Sequence, residues 1–164
     1  MNIKKLLCDS LVLSLSTYMD CVYGPYLTEF NKYRIQKIQH SCVRFICNVK
    51  RRDHVTPFLR DISWLRMGER RFLHLSCLVY KVVVTGAPVY LREILVRRSD
   101  IHAVNLRYLF TQFTIPKHRT QFFKNCFAYQ AVHTLNRLHF CTDMPTHQFK
   151  RMTKNYILEN QVSL

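Results

Sequence analysis

The sequence predicts a mainly α-helical protein, an irregular assembly of about five to six helices with one short extended segment near 101–115. Three observations carry this. Apolar residues recur near a 3.6-residue period in several separate stretches, whereas period-2 alternation occurs in one place only. Hydrophobic residues make up 48% of the 164 and aromatics 13%, too rich for a disordered chain. With 3 Gly and 5 Pro, low-complexity and collagenous architectures are excluded.

The elements follow in order. Residues 2–19 read as a helix with Ile3, Leu6, Leu7, Leu11 and Leu15 near the helical period, and Gly24-Pro25 breaks the pattern. Thr28 is suited to N-cap the next helix, with Glu29 favourable in its first turn. In that helix Ile35, Ile38, Cys42, Phe45, Ile46 and Val49 form a stripe expected to pack on a core. Lys37 and Arg44, seven apart, share another face, and the helix is expected to end near Asn48. Residues 50–66 read as an ordered loop punctuated by Pro57 and anchored by Trp64.

A helix over about 67–85 follows, with Phe72, Leu75, Val79 and Val82 inward and Gly86 as its C′ residue. Pro88 is placed to open a short helix through Leu95. Val104-Asn105-Leu106-Arg107 alternates at period 2 and is the extended segment, ended by Pro116. Residues 120–138 read as a helix with Phe123, Phe127, Ala128, Ala131 and Leu135 inward. A last helix runs over about 146–158, with Phe149, Met152, Tyr156 and Ile157 apolar. No linker is long enough to split the chain, so one compact unit is expected.

Charge gives the functional direction. Lys+Arg number 25 and Asp+Glu 10, a net charge of +15. The excess is spread evenly, at net +4 over 1–50, +5 over 51–100 and +6 over 101–164. It belongs to a folded surface rather than a tail, and it favours a polyanionic partner. The first sixteen residues have the outline of a signal peptide, but Asp9 interrupts the apolar stretch and no small-x-small cleavage site follows. Asp9 and Asp20 likewise interrupt the sole candidate span, so a membrane is not the expected partner. The 7 Cys are odd in number and contain no Cys-x-x-Cys, which indicates reduced, mostly buried thiols. His40, Cys42, Cys47 and His54 come near zinc-ligand spacing without matching a finger, and no metal or other cofactor is expected. An intracellular protein, nuclear or cytoplasmic, is the expected setting.

Catalytic patterns are missing. The aspartates stand at 9, 20, 53, 61, 100 and 143 with no adjacent pair, unlike the clustered carboxylates of two-metal sites. No phosphate-binding glycine loop, Gly-x-Ser-x-Gly or His-Glu-x-x-His occurs, and no small-molecule substrate is indicated. Basic clusters are present instead, among them Lys50-Arg51-Arg52, Arg66 with Arg70-Arg71, Arg97-Arg98 and Lys150-Arg151. Arg grips phosphate as a fork and Lys as a point charge, and backbone phosphates demand no tight spacing.

The motifs in series resemble one family. They begin with Leu7-Cys8-Asp9-Ser10-Leu11, Tyr23-Gly24-Pro25, Asn31-Lys32-Tyr33-Arg34-Ile35-Gln36-Lys37 and Cys42-Val43-Arg44-Phe45-Ile46. They continue through Arg51-Arg52-Asp53-His54-Val55, Trp64-Leu65, Glu69-Arg70-Arg71-Phe72-Leu73, Pro88-x-Tyr90-Leu91 and Pro116-x-His118-Arg119-Thr120. Nearly the whole chain is similar to the C-terminal region of the reverse transcriptase of jockey-like non-LTR retrotransposons. The resemblance implies a thumb-like helical region over 1–95 and a C-terminal helical segment over 96–164. It also implies a chain truncated at its N-terminus, because Met1 falls inside what resembles a thumb helix.

The parent family is an RNA-directed DNA polymerase. Its Tyr-x-Asp-Asp palm motif is not in this sequence, so no catalytic residue carries over. What carries over is a grip on template–primer or element RNA, with RNA, DNA or RNA–DNA hybrid as partner. Charge and motif position assign Lys37, Arg44, Lys50, Arg51, Arg52, Arg70 and Arg71 to the nucleic-acid backbone. One departure is Leu135-Asn136-Arg137-Leu138-His139, where the family commonly has an aromatic-Asn-x-Leu/Ile-Pro turn. The alternative to a binding module is a non-functional or purely structural relic with no ligand of its own, its apolar stripes left exposed.

Overall fold

The structure, a computed structural model, describes residues 3–98, 101, 113–138 and 144–160, with the side chain of 160 excluded. It is mostly helical, at 74%, and is an irregular helical assembly with no strand among the described residues. The chain divides into two compact units, Met1–Arg71 and Phe72–Leu164. The expected extended segment falls largely on residues outside the described ones; Phe113, at its end, forms an isolated antiparallel bridge with Arg97.

In the first unit, α1 (Ile3–Leu7) runs through a π-helical stretch, Cys8–Leu13, into α2 (Ser14–Thr17). The hydroxyls of Ser10, Ser14 and Thr17 each donate to the carbonyl four residues back, the back-bonding that loosens a regular α-helix. The break expected at Gly24-Pro25 comes earlier. Met19 takes the left-handed conformation at φ 50 before α3 (Asp20–Tyr23). Gly24–Tyr26 then form a 3-10 turn.

The apolar stripe of this segment points outward. Leu15 is 78% exposed and Leu11 65%, while Cys8 and Leu13 turn into the core. Among the described residues no single helix is long and apolar enough to cross a membrane. The pair Ile3–Thr17 and Asp20–Tyr26, bent by 43°, reaches that length and composition only when taken together.

α4 (Glu29–Cys47) starts and stops as its sequence requires. The Thr28 hydroxyl caps the Asn31 amide, and Asn48 closes the helix in the left-handed conformation at φ 52. Its buried face is rotated from the expected one. Cys42 and Ile46 are inward with Val43 and Gln39, but Ile38 and Phe45 are exposed. Gln39 turns inward because its amide is satisfied there. It donates to the Leu65 carbonyl at 2.8 Å and accepts from Gln36 at 2.7 Å, while the Gln36 carbonyl oxygen accepts from the Met67 amide at 2.9 Å.

The segment read as loop contains α5 (Thr56–Asp61), with Pro57 in its first turn rather than breaking it. Trp64 anchors the end of this stretch, buried in one core with Cys8, Leu13, Val43, Val55 and Leu59.

α6 (Met67–Thr85) gives its first turn to the first unit and the rest to the second. Gly86 closes it with φ +68, a conformation that suits a residue without Cβ. α7 (Val89–Ile94) follows, with Pro88 in the capping position rather than the first helical one. A 3-10 turn (Phe122–Asn125) precedes α8 (Phe127–Leu138), and α9 (Thr146–Asn160) completes the unit.

The inward residues of α6 include the expected Leu75, Val79 and Val82, joined by Leu73, Ser76 and Tyr80; Phe72 is only half-buried. Tyr80 stacks on Phe149 of α9 at 4.0 Å between ring centroids and 4° between planes. On α8, Ala131 and Leu135 are buried as expected, with Val132 and Thr134, whereas Phe123 is exposed. On α9, Phe149 and Ile157 are buried, but Met152 and Tyr156 face outward. Asn136, in the stretch that departs from the family pattern, brackets Phe113: its Oδ1 accepts from the Phe113 amide at 2.8 Å, and its Nδ2 donates to the Phe113 carbonyl at 3.0 Å.

Candidate nucleic-acid interface

α4 presents an outer face opposite its buried one. Positions 30, 33, 34, 37, 41, 44, 45 and 48 fall together at 100° per residue. Three exposed aromatics stand on it, Phe30 at 67%, Tyr33 at 58% and Phe45 at 54%. Each is paired with a cation. The Arg34 guanidinium lies over the Phe30 ring at 5.7 Å, the Lys37 ammonium over Tyr33 at 4.5 Å, and the Lys4 ammonium over Phe45 at 5.1 Å. The first two pairs follow from i, i+4 spacing, which stacks side chains on one helix face.

Among the expected backbone contacts, Lys37 and Arg44 lie on this face. Lys37 is exposed. Arg44 is half-buried, with Nη2 donating to the Asp53 carbonyl at 3.4 Å and Nε buried without a hydrogen-bond partner. Lys50, Arg51 and Arg52 continue past the C-terminal end of α4. They are exposed in a turn closed by the Asp53 amide on the Lys50 carbonyl at 3.2 Å. Their cations stand where the helix dipole is negative, a favourable placement that leaves their outer faces to solvent.

His40 is half-buried on the same helix. Its pKa is lowered below the ordinary histidine value by burial first, then by Arg44 and Arg66.

Arg70 and Arg71 are placed elsewhere. Arg70 pairs with Asp9 at 2.9 Å and lies over the Trp64 ring at 5.3 Å, and the Trp64 indole donates to the other Asp9 oxygen at 3.2 Å. Glu69, the neighbour of Arg70 in the sequence, accepts from the Arg66 amide at 2.7 Å. Arg71 packs its side chain against Gly24, where a Cβ would meet Nε at 2.1 Å. That Nε is buried with no hydrogen-bond partner. Both side chains are thus turned to neighbours within the first unit, away from the outer face of α4.

Sequence reasoning did not assign Phe30, Tyr33 or Arg34 to this face, although the aromatic–cation repeat at i, i+4 marks them; Phe45 meets its cation, Lys4, from across the sequence and carried no such signal.

The cysteine cluster does not converge. Among the described residues, no three His, Cys, Asp or Glu side chains are placed to hold a metal ion. Burial holds the thiols protonated: Cys21 is pushed up to about 12, with the Asp20 carboxylate adding to the effect, and Cys42 to about 11, with Cys8 beside it.

The chain matches no family model, and comparisons with curated proteins and with solved structures gave no match.

Proposed function

We propose that this chain is a non-catalytic nucleic-acid-binding module, corresponding to the thumb-side and C-terminal region of a non-LTR retrotransposon polymerase. It grips template–primer or element RNA through backbone phosphates along the outer face of α4. The observation that carries the reading is the pairing of exposed rings with cations, Tyr33 with Lys37 and Phe30 with Arg34, running on toward exposed Lys50, Arg51 and Arg52. Rings offer a stacking surface that any base can use, and cations track the phosphates between bases. The net charge of +15 supports the same partner. The motif series quoted above supplies the polymerase context.

The five of these cations that charge and motif position assign to the backbone (Lys37, Arg44, Lys50, Arg51 and Arg52) set the expected strength. Five phosphate contacts on duplex give a slope of log K against log salt of about −4.5. Affinity then falls by roughly 500-fold between about 50 and 200 mM salt. A titration of the full chain with single-stranded RNA, duplex DNA and RNA–DNA hybrid at several salt concentrations tests this. Steep salt dependence with little base preference is the expected result, and no binding at low salt contradicts it.

The exposed apolar stripe of residues 3–15 favours a second reading, a structural fragment with no nucleic-acid ligand. The same low-salt titration separates the two.

A further inference from the structure

Gln36 and Gln39 fasten the start of α6 to the middle of α4. The Gln39 amide nitrogen donates to the Leu65 carbonyl at 2.8 Å, and the Met67 amide donates to the Gln36 carbonyl oxygen at 2.9 Å. Arg66 lies between those two points. Its own amide donates to Glu69 at 2.7 Å, so its backbone is held while its side chain stays exposed. At the helical period Gln36 and His40 are neighbours on the flank of α4 that faces this attachment. Arg66 is therefore set beside the turn that carries His40.

His40 stands at the edge of the outer face, one turn before Arg44 and one turn after Lys37. It is half-buried, and among the described residues no hydrogen bond ties its ring. Arg44 is anchored by Nη2 on the Asp53 carbonyl at 3.4 Å, and its buried Nε has no acceptor. One imidazole is thus flanked by two guanidiniums, and their charges are the ones that reach it. The acids of the adjoining elements are engaged otherwise. The Glu69 carboxylate is turned to the Arg66 amide, and Asp53, in the turn with Lys50, Arg51 and Arg52, meets Arg44 through its carbonyl.

Cations gathered in this way repel one another until an anion joins them. The anion that suits two guanidiniums and an imidazolium is a phosphate, whose oxygens accept several charge-assisted hydrogen bonds at once. We propose that His40, Arg44 and Arg66 form one seat for a single phosphate of the nucleic-acid backbone, with the imidazole as the donor that depends on protonation. This rests on the reading of α4 as the nucleic-acid interface. It adds His40 and Arg66 to the residues that charge and motif position assign, and it makes the grip depend on pH.

In the free protein His40 is held below the ordinary histidine value by burial, Arg44 and Arg66. A seated phosphate favours the imidazolium and raises that value. Binding therefore takes up a proton, and affinity rises as pH falls from the bound value to the free one, by at most about tenfold per pH unit. Above this window the ring is neutral in both states, and below it the ring is charged in both, so affinity is flat on either side.

The test follows the His40 imidazole by NMR over about pH 5–8, in the full chain alone and with a short duplex DNA, beside duplex affinity at fixed salt. The duplex is expected to raise the His40 midpoint, and affinity is expected to grow by about three- to tenfold from about pH 7.5 to 5.5. His40→Gln is expected to flatten that profile with circular dichroism unchanged. Arg66→Gln is expected to raise the midpoint of the free protein, by removing one flanking cation, and to weaken duplex binding by about threefold or more. A merely structural role for these side chains moves neither quantity. Duplex binding with an unmoved His40 midpoint, or with the same pH profile in His40→Gln, overturns the seat and leaves the α4 reading standing. No duplex binding at low salt overturns both. A midpoint raised as far by sulfate as by duplex makes this a site for free anions and overturns its assignment to the backbone.

Discussion

Trp64→Ala is expected to destabilise the first unit by about 3–5 kcal/mol, the usual cost of emptying a buried tryptophan site. The indole is 3% exposed and packs in the same core as Leu13, Val43, Val55 and Leu59. It also orders a polar contact across the sequence. Asp9 accepts from the indole at 3.2 Å through one oxygen and from Arg70 at 2.9 Å through the other. Truncation therefore leaves a cavity and one lost hydrogen bond to a carboxylate, each unfavourable. Trp64→Phe refills part of the cavity but cannot donate to Asp9, so a smaller loss, about 1–3 kcal/mol, is expected. Denaturant unfolding followed by circular dichroism measures both. A loss below about 1 kcal/mol for the alanine variant would place Trp64 outside the core. Since this is the chain's one tryptophan, wild-type fluorescence gives an independent check: the emission is expected at the short wavelengths of a buried indole.

Tyr80→Ala is the corresponding test of the second unit, with an expected loss of about 3–5 kcal/mol. The ring has 0% exposure and lies flat against Phe149 at 4.0 Å, joining α6 to α9. Its hydroxyl donates to the Met144 carbonyl, just before α9 begins. Tyr80→Phe keeps the stack and removes only the hydroxyl, leaving a carbonyl unsatisfied; about 1–2 kcal/mol is expected. Urea unfolding of the three proteins side by side reads the difference. Equal losses for Phe and Ala would mean that the hydroxyl, and not the stacked ring, joins the two helices.

Helix ends were the most legible part of this sequence because their chemistry is local. Thr28, Asn48 and Gly86 act within a turn of their own positions, and each stands where its type requires. Helix faces were less legible. Periodicity assigned Ile38 and Phe45 to the core of α4, but an apolar residue on a helix records that it can be buried, not that it is. Gln39 took the inward position because a carbonyl at Leu65, twenty-six residues away, was there to receive its amide.

The candidate site divides in the same way. Lys37 and Lys50–Arg52 were visible as charge, and they stand exposed. Arg70 and Arg71 had the same charge, but the partner of Arg70 is Asp9, sixty-one positions earlier, beyond any local pattern. The ring of Phe45 was hidden because the periodicity counted it toward the core, whereas it stands exposed.

The proposed grip on nucleic acid is tested most directly by comparing salt dependence between the wild-type chain and one variant, Lys50→Gln with Arg51→Gln and Arg52→Gln. All three positions are exposed, so the fold is expected to persist in the circular dichroism spectrum. If each cation meets a backbone phosphate of duplex DNA, the slope of log K against log salt becomes shallower by about 2.7. An unchanged slope would contradict the account, because three phosphate contacts cannot be lost without their counterions.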